Sequence, residues 1–591
     1  MAPLHPLPDA QPSPSEQTLP KVPVQSAAAK PATGDSPTAN VLMVSSEAVP
    51  FAKTGGLADV CGALPMALRR IGVDVTLILP GFASIDDVDV AIETTDISFA
   101  IEMYAGHLVG GRLRRTLWRD DDVAVPVWFV DQPRYFHRDG LYGPPGGAYD
   151  DNAERFLFFC RAVWAVRDRI ATFDHDQGWS RTKRYNLLHL NDWQTAPLAG
   201  LVAAGASAAD HPPPKTVLTV HNLAYQGSFD RLTFAMTGLD WSHYNSHEFE
   251  YYGGVNFLKT GLLTADRITT VSRRYAEEIC TPEFGCGLDA ILRFRSDDLT
   301  GIVNGIDTRV WDASADPHLD HHYSADDWRE GKRGNRQSVL QELAFEGDHH
   351  ADDDLPMIGL VGRLADQKGW DLILPLMERW LSQRRPVRWA VLGSGDPGHQ
   401  TALKSLRRRH PDLLGLRIGF DEGLAHRIEA ASDLFLMPSH YEPCGLNQLY
   451  SLRYGAVPVV KPVGGLADTV MPVASDAGGS SRAGGLLPSL SRPDNATGFW
   501  IGDPDRPGSV TVDDVDAALG RALHMRQHDP DDFAAMVTRG MRQDWSWRRS
   551  AAKYADLYSE ILTLDDPLRG NERSVTAKAV PQTNRGGLTS Q

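Results

Sequence analysis

Val41-Leu42-Met43-Val44 runs on toward Lys53-Thr54-Gly55-Gly56-Leu57-Ala58-Asp59-Val60, and near the other end of the chain Val457-Pro458-Val459-Val460 runs on toward Gly464-Gly465-Leu466-Ala467-Asp468-Thr469-Val470. Each is an apolar, strand-like run followed by paired glycines and then a helix-like stretch. Glycine lets backbone N–H groups approach an anion closely, and the helix that follows turns its positive dipole end toward the same point. Two such turns predict two α/β halves facing one ligand. Around the first turn, Leu57, Val60, Cys61, Leu64, Leu68 and Ile71 form one apolar stripe, which predicts a helix over 57–71. Val73 to Leu79 is the next strand and Pro80-Gly81 ends it, so the unit is βαβ and the sheet is parallel.

The same reading extends along the chain. Buried strands are expected at 125–130, 187–190, 217–220 and 268–271, and a second series at 357–361, 387–392, 416–418, 434–437 and 457–460. The expected architecture is therefore two Rossmann-like, doubly wound domains facing a central cleft. Residues 40–312 form the first domain and 356–545 the second, with 313–355, rich in Asp, His and Gly, read as a connector. Trp547, Ala551, Tyr554, Tyr558 and Ile561 fall on one helix face, which predicts a C-terminal helix over 546–565 with Ser546 as its N-cap. The first 38 residues hold nine prolines and no aromatic residue. Segments 1–39 and 566–591 are read as disordered tails.

Composition narrows the partners. The formal net charge of −17 argues against non-specific binding to nucleic acid or to an anionic membrane. It favours a neutral substrate whose anionic part is held by a few placed cations. Cys61, Cys160, Cys280, Cys286 and Cys444 show no CxxC spacing, which argues against a disulfide framework and a structural zinc site. No apolar run is long enough to span a bilayer, and the N-terminus lacks the apolar core of a signal peptide, so a cytoplasmic protein is expected.

Polar groups crowd the strand ends. Arg363 and Lys368, in Arg363-Leu364-Ala365-Asp366-Gln367-Lys368-Gly369, follow the second domain's first strand, where doubly wound sheets bind their ligands; they can meet a diphosphate. His189-Leu190-Asn191-Asp192-Trp193 and His221-Asn222-Leu223-Ala224-Tyr225-Gln226-Gly227 mix neutral His, Asn and Asp with aromatic rings, as a sugar site requires. Glu442, in Glu442-Pro443-Cys444-Gly445-Leu446-Asn447, is placed to open a helix, where its carboxylate stays ionised and accepts sugar hydroxyls. Asp87/Asp89, Asp174/Asp176 and Asp514/Asp516 have DxD spacing, but none ends an apolar strand and they are read as surface acids.

Taken together with Val303-Asn304-Gly305-Ile306-Asp307, these phrases closely resemble the bacterial glycogen synthases and plant starch synthases, in order from about Val41 to Leu562. The resemblance implies a retaining glycosyltransferase of the GT-B fold that moves glucose from ADP-glucose to an α-1,4-glucan, with no cofactor and no metal. It assigns His221, Glu442, Arg363 and Lys368 to catalysis. Lys53, Gly55, Gly56, Asp192, Asn256, Cys444, Gly464, Gly465 and Thr469 are assigned to the nucleotide sugar. Two departures stand out. Ser439-His440-Tyr441 replaces a common Ser-Arg-Phe, and Leu190-Asn191-Asp192-Trp193 replaces a common Ala-His-Asp-Trp, a variation that plant-type members share. Position 450 is a tyrosine, where many other retaining GT-B enzymes carry a second glutamate. That tyrosine favours the glycogen and starch synthase branch. A catalytically silent glucan-binding paralogue and a transferase using another nucleotide sugar are the competing readings.

Overall fold

The computed structural model describes residues 39–121, 123–144, 147–205, 212–347, 354–473, 495–502 and 510–563. The two tails read as disordered lie outside the described residues, apart from Ala39.

The N-terminal domain is built on a nine-stranded sheet. Its parallel part runs, in spatial order, Leu299–Gly301, Arg267–Thr270, Lys215–Val220, Leu187–Asn191, Asn40–Val44, Asp74–Pro80 and Val123–Asp131. Strand Asn40–Val44 is followed by helix Gly56–Arg70 and then Asp74–Pro80, which gives the expected βαβ unit. The chain then returns to the other side of the first strand, so the strand order reverses between Asn40–Val44 and Leu187–Asn191. That reversal opens a crevice at the carboxyl ends. Two long antiparallel strands, Glu93–Tyr104 and His107–Asp120, extend the edge.

The C-terminal domain has six parallel strands in the order Leu414–Ile418, Arg388–Gly395, Met357–Leu364, Leu434–Met437, Val457–Val460 and Phe499–Trp500. Its first strand, Met357–Leu364, again lies between two neighbours reached in opposite directions, which repeats the crevice.

One reading of the sequence is corrected here. Residues 313–355 are more than a connector: Ala313, Leu319 and Tyr323 enter the C-terminal core, and helix Trp328–Glu342 packs on helix Glu422–Ala431. The C-terminal helix, Trp547–Thr563, leaves the second domain and completes the core of the first. Tyr554, Tyr558 and Ile561 pack there with Val41, Cys61 and Leu64, and the Tyr558 hydroxyl bonds His189 Nδ1 at 2.7 Å. Burying rings and side chains of this size stabilises by about 1.5–3 kcal/mol each. Gly305 makes the crossing possible, since a Cβ there would lie 2.6 Å from the Trp547 backbone. At the start of this helix the Ser546 N–H donates to Asp544 at 2.9 Å; no cap bond from the Ser546 side chain is seen among the described residues.

Candidate active site

The two crevices face one another across a cavity of about 1850 Å³ lined by both domains. The N-terminal domain contributes Lys53, Gly55, Gly56, Asp192 and His221, and the C-terminal domain contributes Arg363, Lys368, Glu442 and Cys444. All nine were expected from the sequence, and each stands at or just beyond a parallel strand's carboxyl end or at a helix entry.

Asp192 and His221 follow adjacent strands and are tied together. Asp192 has a left-handed backbone, φ 56°, a conformation that costs an L-residue about 1–2 kcal/mol. That bend turns its carboxylate back to accept the His221 N–H at 2.6 Å. Burial raises the Asp192 carboxyl to about 7, opposed by the N–H groups of His221 and Asn222. His221 Nε2 meets Asn191 Oδ1 at 2.9 Å. Asn191 gives its own Nδ2 to the Val44 carbonyl at 3.1 Å, so its Oδ1 accepts and the imidazole proton is assigned to Nε2. Burial pushes the His221 imidazole down to about 3, and the ring is neutral at physiological pH.

The raised Asp192 carboxyl has a stability consequence. In the unfolded chain it ionises near pH 4, and in the folded chain near 7. Its contribution is therefore fully present below about pH 4 and is lost as pH rises through about 7. Asp192→Asn keeps the acceptor and removes the titration. The variant's denaturation midpoint is expected to climb relative to wild type between pH 4.5 and 7.5, by up to about 1.4 kcal/mol per pH unit. Parallel midpoints across that range would contradict this.

The cations are already engaged. Lys53 Nζ is 2.7 Å from Asp59, and Lys368 is hydrogen-bonded to the Glu442 carboxylate. Arg363 is exposed and donates to Gln367 Oε1 at 2.8 Å. Glu442 also accepts from Ser439 Oγ at 3.1 Å. The helix expected to begin at Glu442 begins instead at Asn447, so Lys368 and Ser439, and not a helix end, are the groups that hold this carboxylate. Burial pushes the Cys444 thiol up to about 12, so it remains a neutral SH.

Four expected site residues are not in the cavity wall. Asn256 is fully buried; it caps helix Phe257–Thr264 through Lys259 N–H at 2.8 Å and donates to Gln226 and Ser228. Gly464, Gly465 and Thr469 are buried behind the Glu442–Cys444 loop. An anion does lie on the Gly464 N–H, as the glycine turn implied, but it is the protein's own Glu278. Thr469 donates to the Gly465 carbonyl at 2.6 Å. Among the acidic pairs, Asp174 is no surface acid: it is fully buried and accepts from Thr76, Trp128 and Tyr185.

The sequence reading missed Glu47 and Tyr142 in the cavity wall. Glu47 accepts the Thr54 N–H at 2.5 Å, the Thr54 hydroxyl at 2.7 Å and the Tyr142 hydroxyl at 2.5 Å, which fixes the Lys53–Gly56 loop. Glu47 was legible in principle, since it follows the first strand directly; Tyr142 lies in a Gly/Pro-rich loop that gives no signal. Tyr450 stacks flat on Trp311 with centroids 3.6 Å apart, and Trp311 stacks in turn on His426 at 3.7 Å. His440, at the departure from Ser-Arg-Phe, pairs with Asp371 at 2.7 Å.

Comparisons with known proteins agree with this geometry. Residues 40–294 match the family model for the starch synthase catalytic domain, and residues 355–479 match that for group 1 glycosyl transferases. A glycogen synthase of Rhodopirellula baltica is 47% identical over 89% of this chain and 98% of its own length. One from Syntrophotalea carbinolica is 41% identical over 89% of this chain and 99% of its own. The solved catalytic domain of starch synthase IV from Arabidopsis thaliana, bound to ADP and acarbose, superposes with a TM-score of 0.74 at 29% identity, covering 89% of this chain and all of that one.

Proposed function

The chain belongs to the bacterial glycogen synthase and starch synthase family of glycosyltransferases, and we propose that its cleft transfers glucose from ADP-glucose to the non-reducing 4-hydroxyl of an α-1,4-glucan with retention of configuration. The observation that carries this reading is the meeting of Lys53 and His221 with Arg363, Lys368 and Glu442 in one cavity between the domains.

The donor's diphosphate takes the place of the carboxylates that now hold the cations. Lys53 is drawn from Asp59, Lys368 shifts from Glu442, and Arg363 is at hand in the exposed strand end. Fixed cations at the departing diphosphate stabilise charge that develops only as the glycosidic bond breaks, which lowers the barrier. Freed of Lys368, Glu442 accepts glucose hydroxyls together with the Cys444 backbone. His221 lies by the reacting face, and its neutrality matters: an imidazolium there would repel the oxocarbenium-like glucosyl centre. Glucose C1 separates from the diphosphate oxygen, and the glucan O4 forms its bond to C1 on the same face. The O4 proton passes to the leaving phosphate. Same-face attack accounts for retention without a carboxylate nucleophile. The Arabidopsis relative was solved with ADP and acarbose bound, which supports a nucleotide as donor and a glucan as acceptor. Five free cysteines fit a cytoplasmic enzyme.

We propose further that these cations, and no metal ion, meet the diphosphate. Lys53 from one domain and Arg363 and Lys368 from the other line the same cavity and can supply the positive charge the diphosphate needs. Elongation of a glycogen primer from ADP-glucose is therefore expected to persist after exhaustive chelation. Activity that disappears with EDTA and returns with magnesium or manganese would overturn the proposal.

A further inference from the structure

The second glycine turn lies outside the cavity wall, and its place in the fold gives it another use. Gly464 opens the short helix Gly464–Thr469 in the C-terminal domain. Its N–H is bonded by both oxygens of Glu278, at 3.1 and 3.0 Å, and Glu278 comes from helix Arg273–Glu278 of the N-terminal domain. The arrangement is reciprocal. Asp468, on the C-terminal side, accepts the N–H groups of Arg273 at 2.5 Å and Arg274 at 3.1 Å, at the start of the N-terminal domain's helix. Each domain thus caps a helix of the other with a carboxylate. Such charge-assisted bonds to backbone N–H are about twice as strong as neutral ones. Glu278 is almost completely buried, and its charge is balanced by Arg274 Nε at 3.1 Å.

The turn bears directly on the donor loop. Gly465 donates its N–H to the Glu442 carbonyl at 3.0 Å. A Cβ on Gly464 would lie 2.0 Å from the Glu442 carbonyl oxygen, and one on Gly465 would lie 1.9 Å from that of Cys444. Gly464 also has φ 45°, in the left-handed region that glycine adopts freely. Only a bare backbone fits there, and Glu442-Pro443-Cys444 rests on it. Gln448 closes the circuit by donating to the Cys444 carbonyl at 3.0 Å and to Thr469 Oγ1 at 3.1 Å.

We infer that Glu278 is a positioning residue for glucosyl transfer: from the domain that carries Lys53 and His221, it fixes the glycine turn under Glu442 and Cys444, and Asp468 reciprocates. The inference rests on the transfer reading above, since it takes Glu442 and Cys444 as donor ligands. The clasp joins the two halves of the site at the back of the cleft and sets their separation.

The test measures ADP affinity by calorimetry, together with KM for ADP-glucose and for glycogen primer, in the full chain. Glu278→Ala is expected to weaken ADP binding and raise the donor KM about tenfold, with the primer KM within about twofold of wild type. Glu278→Gln keeps one acceptor oxygen for the Gly464 N–H and should restore most of the affinity, which a general loosening of the fold would not predict. Asp468→Ala, made from the other side, should give the same signature. The double variant should be little worse than either single one, because both act through one clasp. Unchanged ADP affinity in folded Glu278→Ala would overturn the inference, as would an equal rise in donor and primer KM. Wild-type protein that binds ADP yet lengthens no primer would instead sink the transfer reading, with the clasp still judged by the ADP affinities.

Discussion

Replacing His221 with alanine is expected to leave a folded protein whose kcat/KM for glucosyl transfer falls by about 100-fold or more, or about 2.7 kcal/mol of transition-state stabilisation. The fold should survive because the bond that orders this strand end is made by the His221 backbone N–H to Asp192, which alanine keeps. What is lost is the ring, which lines the cavity and is held with its Nε2 proton toward Asn191. Because burial holds the imidazole near 3, the wild-type activity should show no inflection near pH 6.5 from this residue. Purified His221→Ala with near-normal turnover and an unchanged unfolding midpoint would remove His221 from the catalytic set.

Lys368→Met should be comparably severe, costing about 10²–10³-fold in kcat/KM for the nucleotide sugar. Two effects combine. The departing diphosphate loses one of its fixed cations, and the Glu442 carboxylate, itself buried, loses its ion-pair partner and keeps the hydrogen bond from Ser439. A buried carboxylate left without its cation is destabilising, so the unfolding midpoint should fall as well, by less than a fully desolvated pair would cost because Lys368 is about a quarter exposed. Steady-state kinetics over a range of donor concentrations separate the two. A variant whose only defect is a lower unfolding midpoint would show Lys368 to be a structural partner of Glu442.

The parts of this protein legible in its sequence are those whose signals are local. Val457–Val460 and Asn40–Val44 are buried on both faces and read as continuous apolar runs. Glu93–Tyr104 was not legible, because its inward face is chemically mixed: Glu93 and Thr95 are half-buried there, and only from Ile97 through Ile101 to Met103 do its buried positions turn apolar. Helix Trp328–Glu342 hid for another reason: much of its inward face is polar. Lys332, Asn335 and Arg336 are buried there, with Lys332 bonded to the Tyr454 carbonyl and Arg336 to Asp433, and the apolar signal is left to half-buried Trp328 and to Val339 and Leu340.

The site divides along the same line. Lys53, His221, Arg363, Lys368 and Glu442 lie at strand ends or helix entries, and the rule that doubly wound sheets bind ligands there found them. Gly464 lies outside the cavity wall, and the carboxylate on its N–H, Glu278, comes from a distant helix of the other domain. A glycine turn announces that an anion will bind and does not say whose. Asn256 also lies outside that wall: an Asn before an apolar run is as good a helix cap as a sugar ligand, and its side chain caps helix Phe257–Thr264.

The central claim is that this cleft moves glucose from a nucleoside diphosphate to a glucan, with ADP-glucose as the donor. The most direct test offers purified protein ADP-glucose and UDP-glucose separately with a glycogen primer and compares kcat/KM. Elongation is expected with at least a tenfold preference for ADP-glucose, about 1.4 kcal/mol of differential transition-state binding, which a few contacts to the base can supply. A preference for UDP-glucose would overturn the donor assignment, and a primer lengthened by neither would contradict the account and favour a silent glucan-binding protein.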